Sequence, residues 1–227
     1  MSNNSTNPLF KIDVLSVGLF GLAVGALTLG FVQIGFIPAK DSMAISIICL
    51  VFGGLVQILA GLVDIRYNDQ LGGTALTMYG FFWTTVFTVK ILDLAEGFHW
   101  DSVLYFPMVM IYCLFSAMMI YLTAHKNFTL CLLHVIITCT FAMDTMIKLN
   151  NAPLELYVGI GHLLIGSLAL YHAMGTLVNK FDCFGTIPLG NALLPMRNES
   201  TGLQAAMVGT MEIVEMVDAT THSKSSS

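Results

Sequence analysis

The chain has 227 residues, of which 56% are hydrophobic and 10% charged, with a mean hydropathy of +0.80. Soluble domains carry about 25% charged residues, so an ordinary soluble enzyme is excluded. The net charge of -5 comes without any basic cluster, which argues against nucleic acid as a partner.

Met1 to Pro8 is polar and lacks a positive n-region. The apolar run that follows is longer than the roughly 7–15 residues of a signal h-region, so it is expected to stay as an anchor. Six apolar runs then follow in order: Val14 to Ile37, Ser42 to Val63, Leu71 to Leu92, Val103 to Thr123, Phe128 to Ile147 and Leu156 to Val178. Each approximates the 20 or so residues that cross a bilayer core as a helix. Backbone groups facing lipid must be bonded within their own segment, which requires helices. The alternating segments of about 10 residues that mark a transmembrane barrel do not occur. The expected fold is an all-α integral membrane bundle of six helices spanning residues 14–178, partnered by the lipid bilayer. A short N-terminal segment, 1–13, precedes it. A tail, 179–227, follows, with too little apolar mass to order most of its length. Its Met-rich stretch, Met207 to Met216, is the candidate for a short interfacial helix. The loops are too small to hold an active site of their own.

An even number of spans puts both termini on one side. Lys11, Arg66, Lys126, Lys180, Arg197 and Lys224 fall there, against Lys40, Lys90 and Lys148 opposite. The positive-inside rule then predicts cytoplasmic termini, and a multi-pass plasma-membrane protein is expected. Four Asn-x-Ser/Thr sequons, at Asn3, Asn4, Asn127 and Asn198, would face the cytoplasm as chance matches.

Cys49, Cys113, Cys131 and Cys139 lie in spans, where free cysteine behaves as a small apolar residue. Cys183, just beyond the last span, is a palmitoylation candidate. Gly18, Gly21, Gly25 and Gly30 in the first span, and Ala169 and Ala173 in the sixth, permit close helix packing. That glycine-rich face suits a tight bundle contact, a narrow pore lining or an oligomer contact. Intramembrane polar groups are functional candidates by default: Gln33, Gln57, His134, Asp144, His162 and His172. The histidines allow two readings, satisfied bonds to neighbouring helices or a proton relay. A di-haem arrangement is disfavoured. His162 and His172 are separated by about 280° of helix rotation and His125 and His134 by about 180°, so neither pair shares a face. No metal or other cofactor is expected, and no helix carries a nucleophile–base or zinc-like constellation on one face. In the third span, Thr74-Ala-Leu-Thr77-Met-Tyr79-Gly-Phe-Phe-Trp83 joins bulky rings to hydroxyls, which suits either ordinary packing or a constriction that gates by dewetting.

The stretch from Gly53 to Trp83 resembles the acetate uptake transporter family, which includes bacterial acetate–succinate permeases and yeast acetate and ammonia transport proteins. The matching pieces are Gly53-Gly54-Leu-Val-Gln57, Ala60-Gly61-Leu-Val-Asp64 and the third-span run through Trp83, with Ala173-Met174-Gly175, Asn179 and Ile187-Pro-Leu-Gly190 further on. The resemblance implies a six-helix, channel-like transporter of small monocarboxylates such as acetate, and in some members succinate. Transport is proton-linked, as in symport, or passive, and the subunits form a homo-oligomer, a hexameric ring. It implies a constriction at Leu22, Tyr79 and Ile136, with Asp13, Gln57, Asp64, Thr77 and Trp83 along the mouth and polar pathway. His134, His162 and His172 are then candidates for proton relay.

One departure bears on substrate. The family's Asn-Pro-Ala-Pro-Leu-Gly should end at Gly18, where this chain has Asp13-Val-Leu-Ser-Val-Gly18. Loss of both prolines changes the local backbone, and Asp13 repels an entering anion. Three functions stay open: a monocarboxylate transporter, a channel for ammonia or another small solute, and a non-transporting scaffold or sensor that kept the bundle.

Overall fold

The computed structural model describes residues 14–97, 102–150, 153–181 and 186–195. Asp13, Cys183 and the Met207 to Met216 stretch lie outside the described residues. One compact unit ends at Leu193; of the second, Leu194–Ser227, only Leu194 and Pro195 are described.

Among the described residues, six helices are long and apolar enough to cross a membrane: Val14–Gln33, Ser42–Arg66, Gln70–Ala95, Phe106–Ala124, Phe128–Leu149 and Glu155–Phe181. No strand occurs among the described residues. The second and third helices pack as a hairpin, as do the fourth and fifth, and the first lies along the sixth. Large apolar side chains such as Leu59, Leu62, Ile111, Leu114 and Leu164 are exposed on the outside of the bundle, as lipid-facing positions require.

Small residues set the closeness of the inner contacts. A Cβ on Gly25 would lie 3.0 Å from the Gly53 Cα, and one on Gly53 would lie 2.7 Å from the Trp83 ring. The first helix therefore meets the backbone of the second directly at Gly25 and Gly53, and Gly53 leaves the room that the Trp83 ring of the third helix fills. The second helix is not α-helical throughout. Cys49–Val56 winds as a π-helix between α-helical Ser42–Ile48 and Gln57–Arg66. Such wide turns are rare and concentrate at functional sites. Its exit is held by Gln57, whose side-chain N–H donates to the Gly53 carbonyl at 2.6 Å.

Helix ends depart from the expected spans for local reasons. The first stops at Gln33, short of Ile37, because Gly35 takes a left-handed φ of +79° and the Phe36 and Ile37 N–H groups turn back onto the Phe31 carbonyl. The fourth begins at Phe106, past Val103, with Pro107 in its first turn, where a missing N–H costs nothing. Between the second and third helices, Asn68 adopts φ +65° and Asp69 caps the third helix by accepting from the Gly72 N–H at 3.1 Å.

Beyond the sixth helix, residues 186–193 form a strap. Asn179 brackets Ile187, donating to its carbonyl at 2.8 Å and accepting from its N–H at 2.6 Å. Thr129 donates to Leu189 through both its N–H and its hydroxyl, and the Leu193 N–H donates to the Ala124 carbonyl at 2.8 Å. The strap thus ties the sixth helix to the turn joining the fourth and fifth. Asn179→Ala removes both bonds at once, and is expected to cost about 1–3 kcal/mol. A lowered thermal midpoint of the detergent-purified variant checks this; an unchanged midpoint would show the strap to be held elsewhere.

Candidate functional site

Two cavities enter the bundle from opposite ends of the first helix. The smaller, about 30 Å³, lies at its N-terminal end, among Leu15, Leu19, Gln57, Thr123, Lys126 and His134. The larger, about 440 Å³, lies at its C-terminal end, among Gln33, Trp83, Phe87, Lys90, Asp144 and His162. Leu22, Tyr79 and Ile137 line both cavities. They come from the first, third and fifth helices and are 4%, 5% and 6% exposed, so the space between the cavities is filled by side chain.

Tyr79 is fixed by rings on several sides. Phe115 meets it edge-on with centroids 5.4 Å apart, and His134, Tyr112 and Phe141 lie at 5.9, 6.5 and 6.5 Å. Tyr112 is itself anchored by donating to the Met78 carbonyl at 2.9 Å. The ring therefore has little freedom to swing without moving its neighbours.

Three side chains that line the small cavity each carry a buried polar atom with no hydrogen-bond partner. Gln57 spends its N–H on Gly53, which leaves Oε1. His134 Nδ1 lies 2.8 Å from the Leu130 carbonyl, which can only accept, so Nδ1 carries the hydrogen and Nε2 is left. The Tyr79 hydroxyl, beside Ser116, has no bond of normal geometry. Buried polar atoms are seldom left so, and the three side chains that carry them all line the small cavity, which makes it the candidate place for a polar guest. In the neutral histidine state, two of the three are acceptors and one is a hydroxyl able to donate. At the outer end of this cavity Lys126 binds Asp69 through both carboxylate oxygens, at 3.0 and 2.9 Å. Burial raises the Asp69 carboxyl, but the Lys126 ammonium and the Gly72 and Leu71 N–H groups outweigh it and hold it below the usual carboxylate range.

The residues singled out from the sequence divide clearly. Leu22 and Tyr79 line both cavities, Gln57 and His134 the small one, and Trp83 and His162 the large one. Ile136 packs against the core while Ile137 faces the cavities, since one residue along a helix turns the side chain by about 100°. Thr77 abuts Gly61 of the second helix, and Asp64 sits in the hairpin beside Gly72; neither lines a cavity. His172 is buried in the sixth helix away from both. His162 points Nδ1 at the Gln33 Oε1, 2.8 Å away, so the three histidines do not share one compartment. Lys126 was missed as a site residue because a lysine in a turn gives no signal beyond solvation.

This arrangement is that of an all-helical, multi-pass membrane protein of channel-like construction. Residues 6–195 match the GPR1/FUN34/yaaH family, and the chain belongs to it. Among its relatives is the succinate-acetate/proton symporter SatP of Escherichia coli K12, 24% identical over 178 residues that make up 78% of this chain and 94% of SatP. The acetate permease A of Emericella nidulans is 22% identical over 194 residues, covering 77% of this chain and 64% of the permease. The solved structure of the bacterial acetate channel SatP superposes with a TM-score of 0.71 at 25% identity, covering 79% of this chain and 99% of that one.

Proposed function

We propose that the chain passes small monocarboxylates such as acetate across its membrane together with a proton, and is not an enzyme. The observation that carries this reading is the pair of cavities meeting at Leu22, Tyr79 and Ile137, with unpartnered polar atoms on one side of the junction. The names of the relatives support the substrate class. The polar atoms support the proton: a neutral carboxylic acid brings one donor and one acceptor, whereas a carboxylate brings acceptors alone. The acid hydrogen is offered to His134 Nε2 or Gln57 Oε1, and the acid carbonyl accepts from Tyr79. The narrow cavity, with room for little more than a water molecule, must widen to admit the guest. In this reading Leu22, Tyr79 and Ile137 are the constriction, Gln57 and Trp83 flank it, and His134 is the group that handles the proton. His162 serves the far cavity. The protein sits in the plasma membrane with both termini cytoplasmic, and assembles as a homo-oligomer, by family likeness a hexamer.

Uptake of labelled acetate by proteoliposomes, with and without an inward proton gradient, tests the proposal. Uptake above protein-free liposomes that rises with the gradient is expected. Folded protein that moves no acetate would overturn it and favour ammonia, another solute or a scaffold.

A further inference from the structure

We infer that Lys126 is the docking cation for the carboxylate at the narrow end of the pathway, and that Asp69 is a built-in competitor holding it when no substrate is present. The inference rests on the pathway reading above. Lys126 is the cationic side chain lining the small cavity, in which the other polar groups are the uncharged Gln57, Tyr79, Thr123 and His134. It stands at the outer end and is 41% exposed, so it meets both the cavity and the surrounding water. Its ammonium rests on both oxygens of the Asp69 carboxylate, the same chemical group that the substrate would present at the mouth before it takes up its proton from the surrounding water. Exchanging one carboxylate for another on Lys126 leaves its charge partnered throughout. Asp69 is not set adrift by the exchange, because it also accepts from the Gly72 N–H as the cap of the third helix. The position is held from both sides. Lys126 donates its N–H to Thr123 at 2.9 Å, and the strap clasps the same turn at Ala124 and Thr129.

A plain structural clasp between the two hairpin turns predicts a different response from a docking site. Breaking a clasp from either partner would act in the same direction. Breaking a competitive pair would not. Lys126→Met keeps the aliphatic stem against the cavity wall and removes the charge; Asp69→Asn keeps an N-cap oxygen and weakens the hold on Lys126. The experiment is the concentration dependence of acetate uptake in proteoliposomes for wild type, Lys126→Met, Lys126→Arg, Asp69→Asn and Tyr79→Ala. Lys126→Met is expected to raise the KM about two- to fivefold and Asp69→Asn to lower it by a similar factor, the scale of a solvent-exposed charge pair. Lys126→Arg is expected to restore a KM near wild type. Shifts of both variants in the same direction, or no shift, with uptake that still responds to Tyr79→Ala, would overturn the docking role and leave the pathway standing. Absence of wild-type acetate uptake would overturn the pathway reading, and the inference with it.

Discussion

Tyr79→Ala is expected to abolish size selection. In proteoliposomes the variant should admit butyrate and larger monocarboxylates about tenfold faster relative to acetate than wild type does. Fully exposed, a tyrosine side chain presents on the order of 150–250 Å², and here the ring stands where both cavities meet. Truncating it joins them. The surrounding rings of Phe115, Tyr112 and Phe141 belong to other helices and keep edge and stacking contacts with one another and with Phe82, so they cannot collapse fully into the gap. The same incomplete collapse costs stability, about 3–5 kcal/mol for a large aromatic replaced by alanine in a core, so the variant must be checked for its folded state by gel filtration. Tyr79→Phe separates the two contributions of the residue. It keeps the ring, and hence size selection, while removing the buried hydroxyl beside Ser116. A folded Tyr79→Ala protein with an unchanged ratio of butyrate to acetate uptake would place the barrier elsewhere than at Leu22, Tyr79 and Ile137.

The six helices were legible because each is a run of apolar residues long enough to cross a bilayer, and length is the property the membrane demands. Where helices stop was less legible. The first ends at Gln33 because of one glycine's positive φ, and Phe31 to Ile37 is apolar enough to conceal it. The π-helical turn at Cys49–Val56 left no trace in hydropathy, since it changes which neighbour each N–H finds and not which residues are apolar. Within the site, Leu22, Tyr79, Gln57, His134, Trp83 and His162 stand out in the sequence by motif or by polarity within a span, and each lines a cavity. Asp64 and Thr77 share their motifs but face the second–third hairpin, because motif spacing fixes a position along a helix and not the direction of its side chain. Ile136 and Ile137 are chemically alike, so nothing in the side chains themselves could choose between the registers. Lys126 gains its meaning from Asp69, 57 residues away, through a contact that no local pattern encodes.

The largest loss of transport is expected at His134. Its Nδ1 is committed to the Leu130 carbonyl, so Nε2 is the ring atom left to accept from a guest, on a side chain that lines the small cavity. Leucine at this position fills a similar space but offers nothing to the hydrogen of a neutral acid. That hydrogen would lose one of its two acceptors, and where Gln57 does not replace it the unsatisfied group costs about 1–3 kcal/mol, or roughly fivefold to 150-fold in rate. His134→Leu should therefore reduce acetate uptake by that factor while the bundle remains folded, since the side chain's remaining contacts are with rings and aliphatic groups. His134→Gln tells where the proton travels. Glutamine keeps an acceptor near the place of Nε2 but does not titrate. If the acid carries its own proton, His134→Gln retains uptake within a few-fold of wild type and still responds to an inward proton gradient. Uptake that persists in His134→Gln but no longer follows the gradient would move the proton from the substrate to the imidazole, because the gradient could then act only through a ring that the variant lacks. Uptake unchanged in His134→Leu would remove His134 from the pathway altogether and leave Gln57 as the acceptor facing the cavity. The two substitutions thus separate a hydrogen-bond acceptor from a proton carrier.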